Sequence, residues 1–158
     1  MTTAALEHEA PTDEGTTYAI IDTDVHPSFN FMKPGVLKQL PQKWRDYVAE
    51  YGALRPGNPG GDRPRHREFA SRWDTEPPDG GEPMSNPDFA REQLLDKFDI
   101  TAAMLNDIAG FVFSGARNTP RELAEAMCSA LNDDRVEMWF KHDPRWYGSI
   151  NAPYEVPE

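Results

Sequence analysis

The sequence predicts an α/β fold built from parallel βα units, and three observations carry that prediction. The first is Tyr18-Ala19-Ile20-Ile21, an unbroken apolar and aromatic run that gives way abruptly to Asp22-Thr23-Asp24-Val25-His26-Pro27. Such a run reads as a buried strand of the parallel-sheet type. The second is that two more strand-like runs follow, at 101–106 and 146–152, each after a helical pattern. The third is helix punctuation between them, with prolines placed where helices begin. Strand and helix in alternation mean parallel units joined by crossovers.

The first strand carries the chemistry. Side chains alternate along a strand, so Asp22, Asp24 and His26 share one face and Thr23 and Val25 take the other. Two carboxylates and an imidazole meet at the strand's C-terminal end, where α/β folds bind ligands. Asp24 and His26 lie about 6–7 Å apart along the strand, near enough to hold one cation between them. Asp-x-Asp-x-His also has a plainer meaning, since Asp ends strands by bonding the turning backbone.

Pro34 starts a short helical turn and Pro41 a second helix, in which Trp44, Tyr47, Val48 and Tyr51 form one apolar packing face. The stretch 52–87 is different material, with seven of the chain's 15 prolines and six of its 11 glycines. It is predicted to be a long loop, either a lid or poorly ordered. His66 lies in it among Arg63, Arg65 and Arg67, a cluster that could meet an acidic group and reads more simply as solvated loop.

Asn86-Pro87-Asp88 is a helix start with a capping residue, a proline and an early acid. That helix is predicted to turn Phe89, Leu94, Leu95 and Phe98 inward and to end near Asp99. The second strand ends in Asn106-Asp107, and 108–117 reads as an apolar loop at the same end as Asp24 and His26. Thr119-Pro120-Arg121-Glu122 has the form of a capping box. It opens a long helix with Leu123, Met127, Ala130, Leu131 and Met138 as its buried stripe. Asp133-Asp134 reads as a solvated face, Cys128 as a small buried residue, and His142 as a helix-end residue favoured by the dipole. The third strand closes at Pro153.

Composition narrows the classes. A chain of 158 residues has room for one modest core. The arm 1–17 is polar and acidic, is predicted to be disordered, and lacks the form of a signal peptide. No apolar run approaches the ~18 residues that span a bilayer. A net charge of −11 argues against nucleic acid and anionic membranes and leaves small-molecule or protein partners. One cysteine suits a reducing, cytoplasmic setting.

Three parallel strands leave edges unpaired and faces uncovered. The chain is therefore expected to be a piece of a larger sheet or barrel, or to pair with another chain as a homo-oligomer that completes one.

Ile20-Ile21-Asp22-Thr23-Asp24-Val25-His26-Pro27 resembles the first barrel strand of the amidohydrolase-related metal-dependent enzymes (amidohydrolase family 2), in the branch containing aminocarboxymuconate-semialdehyde decarboxylase. Arg91-Glu92-Gln93-Leu94-Leu95-Asp96 with the strand after it is similar to that branch's next unit. Ala130-Leu131-Asn132-Asp133, Asp143-Pro144-Arg145 and Gly148-Ser149-Ile150 are similar to its third. The resemblance covers 18–158. It implies about three strands of the N-terminal portion of a (β/α)8 TIM barrel, with a divalent metal, zinc or manganese, at the C-terminal mouth. Asp24 and His26 match the strand-one metal pair, with Asp standing where His or Glu is more usual. Asp22 matches a residue that orients a ligand from behind. The family's further ligands and its proton-handling aspartate come from later strands. A full barrel takes roughly 250 residues, so this segment is expected to be incomplete and not competent by itself. The implied reactions are hydrolysis of an amide or ester, or non-oxidative decarboxylation of a small aromatic or unsaturated acid.

Two other readings stand beside it. An apolar strand ending in Asp-x-Asp also resembles the haloacid-dehalogenase-like phosphatases, with Asp22 as nucleophile and Asp24 as general acid. Val25 and His26 stand where those enzymes place glycine and threonine, and no convincing later lysine and acidic pair follows. The other reading is a non-catalytic half-barrel that serves assembly.

Overall fold

The computed structural model describes residues 18–28, 33–52, 73–114 and 119–154. The arm 1–17, the His66 cluster and parts of the stretches 52–87 and 108–117 lie outside the described residues.

Three strands form one parallel sheet in the order β1-β2-β3: β1 (Ile20–Val25), β2 (Ile100–Leu105) and β3 (Trp146–Gly148). Between β1 and β2 run α1 (Pro34–Gln39), α2 (Gln42–Tyr51), a 3-10 turn (Trp73–Thr75) and α3 (Pro87–Ala90), which continues as a π-helix (Arg91–Asp96). Between β2 and β3 run α4 (Ile108–Ser114) and α5 (Arg121–Arg135), which passes into π form over Val136–Phe140. The α/β class and the strand–helix alternation are as the sequence predicts.

The core has two parts. Val36, Leu40, Val48, Phe113, Leu123, Met127 and Leu131 join α1, α2, α4 and α5, with Trp44 and Tyr47 packed against them. Val25, Ala90, Leu95, Ile100, Ala103, Leu105, Trp139 and Trp146 join one face of the sheet to α3 and the π end of α5. Trp139 and Trp146 meet edge to face with centroids 5.2 Å apart, an arrangement the ring quadrupole favours. Cys128 is buried on α5, as predicted, and burial pushes its thiol pKa up.

The first strand departs from its predicted burial. Ile21 is 61% exposed and Tyr18 and Ile20 are also exposed; Val25 alone of β1 is buried. The reason is that helices cover only one face of the described sheet. On the other face Ile21 lies beside Ala102, and Met104 beside Tyr147, which is 55% exposed.

Other elements follow the sequence with local corrections. Asn86 caps α3 as predicted, its Oδ1 accepting from Phe89 N–H at 3.1 Å. Leu95 is buried but Phe98 is exposed, because the helix widens into π form and its last residues fall out of phase with a straight α-helix. The same change of pitch turns Met138 outward and puts Trp139 in the core. Thr119 is not the cap of α5. Pro120 holds the N-cap position with extended backbone (φ −52, ψ 134), so the threonine falls one residue too early. Residues 108–114 are helix rather than loop, since Asp107 Oδ1 accepts from Gly110 N–H at 3.3 Å and starts a turn. β3 ends at Gly148 rather than near 152. The Asn132 side chain bonds both backbone groups of Asn151, at 2.9 Å each, and draws the chain toward α5.

At the N-terminal end of the sheet, Arg145 clamps Asp143 and Asp96, each at 2.7 Å. Its guanidinium bonds hold the Asp143 carboxyl below the usual range, and the pair in turn raises Arg145. This ties the end of the α3 segment to the start of β3.

Candidate functional site

The site lies at the C-terminal ends of β1 and β2. Asp22 turns back on its own chain, its Oδ1 accepting the Asp24 N–H at 3.1 Å. That bond fixes the backbone from which the Asp24 side chain leaves the strand. The ladder continues past β2 through Asn106 N–H to Val25 carbonyl at 2.8 Å, which places Asn106 directly against the Asp24–His26 turn.

Asn106 makes three further contacts there. Its Nδ2 donates to Thr23 carbonyl at 3.0 Å and to Asp24 Oδ1 at 2.9 Å. Both partners only accept, so the orientation of the carboxamide follows. Its backbone carbonyl lies 3.0 Å from His26 Nδ1. A carbonyl cannot donate, so Nδ1 carries a proton, and in the neutral ring Nε2 is the acceptor. His26 Nε2 and Asp24 Oδ1 then face each other at 3.4 Å. The Asp24 side chain is 70% exposed and that of His26 38%, so the pair is open to solutes.

Two electron-pair donors aimed at one another are a place for a cation or a proton. Zinc–ligand bonds of about 2.0–2.1 Å in a tetrahedron put neighbouring ligand atoms about 3.3–3.4 Å apart. The pair fits two corners of such a polyhedron, one oxygen and one nitrogen, a mixture that suits zinc or manganese. Among the described residues no group of three or more His, Cys, Asp or Glu side chains comes together in metal-holding fashion. Asp22 is committed to the backbone and is not a third ligand in this arrangement.

Behind the pair sits a buried set of charges that the sequence reading misses. Arg135 Nε meets Asp107 Oδ2 at 3.0 Å, and its Nη1 meets Asp134 Oδ2 at 3.2 Å. Lys33 Nζ reaches the same Asp134 oxygen at 2.6 Å. Arg135 Nη2 donates to the Ser28 carbonyl at 3.4 Å, and Asn151 Nδ2 to Asp107 at 3.4 Å. The loop after β1, the end of β2, the start of α1, α5 and the chain after β3 therefore share one ionic knot. Asp134, predicted to be a solvated face, is 1% exposed. The signal was its spacing: it lies three residues after Leu131 and four after Ala130, on the buried stripe of α5. Burial depresses the Lys33 pKa and Arg135 adds to that, while Asp134 opposes both.

His142 sits half-exposed past the π segment of α5, with Nδ1 at 4.0 Å from Asp88. No described helix is long and apolar enough to cross a membrane. No protein-family model matches the chain, and no curated protein matches it.

Proposed function

We propose that the chain contributes part of the active site of a metal-dependent hydrolase or non-oxidative decarboxylase. Its substrate would be a small carboxylic acid, amide or ester, aromatic or unsaturated in the decarboxylase case, and its setting the cytoplasm. Asp24 and His26 supply two of the ligands to zinc or manganese, and Asp22 holds the backbone of Asp24 in place. The reading includes the fold: β1, β2 and β3 are taken as successive strands of a (β/α)8 barrel. The open sheet face is then the barrel interior, completed by further strands or by a partner chain. Support comes from the parallel 1-2-3 order, the helices confined to one face, and a polar pair at the strand C-termini.

The observation that carries the proposal is the 3.4 Å approach of His26 Nε2 and Asp24 Oδ1, with the ring's proton committed to the other nitrogen. When bound there, a divalent metal polarises a substrate oxygen or makes bound water acidic near neutrality. The protein's own part is to hold an acceptor nitrogen and an acceptor oxygen at one spacing, exposed to solutes. With two ligands in place the chain is expected to bind metal weakly and to turn nothing over. Asp22 bonds a backbone N–H rather than presenting its oxygen outward, which suits a positioning part better than the phosphatase nucleophile.

Mn²⁺ titration followed by paramagnetic broadening of amide NMR signals tests this. Broadening should centre on 22–26 and 105–107 and disappear in His26→Ala and in Asp24→Asn. Uniform broadening that neither variant changes would remove the reading.

A further inference from the structure

We infer that Asn106 is the positioning residue of this cation pair, an inference that rests on the cation-binding reading above. Two solvent-exposed side chains on a strand end are ordinarily free to rotate, and a free pair binds a cation poorly because ordering costs entropy. Here both ligands are held by one residue from a different strand, about 80 positions along the chain.

The division of labour within Asn106 is specific. Its backbone carbonyl takes the Nδ1 proton of His26 at 3.0 Å, which fixes the tautomer and points Nε2 at Asp24. Its Nδ2 takes Asp24 Oδ1 at 2.9 Å and fixes the carboxylate rotamer. The residue is itself secured twice, by Nδ2 to the Thr23 carbonyl at 3.0 Å and by N–H to the Val25 carbonyl at 2.8 Å. The backbone makes the contact to His26, and the side-chain part needs a short neutral N–H donor. An aspartate at 106 would offer Thr23 no donor and would set a second negative charge against Asp24, and an apolar residue would release Asp24 altogether. Partners of this kind, behind the ligands, typically govern metal affinity by 10–100-fold.

The test is Mn²⁺ binding to the full chain, read by broadening at 22–26, for wild type, Asn106→Ala and Asn132→Ala, with a thermal melt for each. Asn132 secures the chain after β3 through its own carboxamide and touches neither ligand, so it controls for a purely structural loss. The inference expects Asn106→Ala to weaken Mn²⁺ about tenfold or more. Asn132→Ala should stay within about twofold of wild type even where its melt is lower. If Asn106→Ala does not fold, Asn106→Leu keeps the volume, lacks the donor, and should show the same loss. Wild-type affinity in the folded Asn106 variant overturns the inference and leaves the cation site standing. Absence of any localised Mn²⁺ effect in the wild type removes the cation site and the inference together.

Discussion

Arg135 is the side chain on which the charges behind the strand ends depend. Arg135, Asp107 and Asp134 are buried and the partly exposed Lys33 reaches them, so two cations meet two anions and each charge has a partner. Desolvating an ion costs several kcal/mol, and that cost is met only while the partners stay in place. Among the described residues Arg135 alone touches both carboxylates, and it also donates to Ser28. Arg135→Met is predicted to destabilise the fold by about 3–5 kcal/mol, read from urea unfolding. Arg135→Lys keeps the charge but not the fork, and a point charge cannot reach both carboxylates at 3.0 and 3.2 Å. It should recover only part of the loss. A cost under about 1 kcal/mol for Arg135→Met would mean that the knot is solvated like a surface pair. The sequence hid this knot because a charged doublet in a helix ordinarily faces water. The period of the stripe, with Asp134 in phase with Leu131 and Ala130, was the better guide than the charge.

At the scale of elements, α1 approaches α5 so closely that Gly35 lies against the Asp134 carboxylate. A methyl group at 35 would overlap Asp134 Oδ1, and that carboxylate cannot swing aside because Lys33 and Arg135 hold its other oxygen. Gly→Ala in a helix is ordinarily stabilising by roughly 0.5–1 kcal/mol. Gly35→Ala is predicted to do the opposite, lowering stability by about 1–3 kcal/mol in the same urea assay. A stabilised Gly35→Ala would show that α1 is not seated on Asp134. The elements most legible in the sequence are those whose signals are local. Asn86-Pro87 marks the α3 start, the apolar 101–105 run marks β2, and the Leu123–Leu131 stripe marks α5. The misread ones depend on contacts between distant segments. α4 needs Asp107 as its cap, with Gly110 leaving room for the Asn151 side chain. The short β3 reflects the pull of Asn132 on Asn151. In the candidate site Asp24 and His26 could be read from the polar end of the strand, although a register shift between Asp22 and Val25 interrupts the simple alternation expected to put Asp22 on their face; Asn106 could not, since nothing local says which strand end lies beside β1.

Over the whole molecule, the unequal treatment of the two sheet faces has a physical consequence. Parallel sheets are stable when both faces are covered, and here one is packed on α3 and Trp139 while Ile21, Met104 and Tyr147 of the other meet water. Apolar surface in one contiguous patch favours a covering partner, whether further barrel strands or another copy. The net charge of −11 opposes self-association through long-range repulsion, so salt should decide the balance. The chain in isolation is predicted to bind the dye ANS and to shift toward larger species in size-exclusion chromatography as salt rises from low to physiological strength. The double variant Ile21→Lys/Tyr147→Lys should abolish both effects. Its melting temperature should change little, because these two side chains are exposed within the folded chain itself and surface changes are worth within about 0.5 kcal/mol each. A monomer that ignores both dye and salt would mean that the open face is covered within the chain, and the barrel reading would lose its main physical motive.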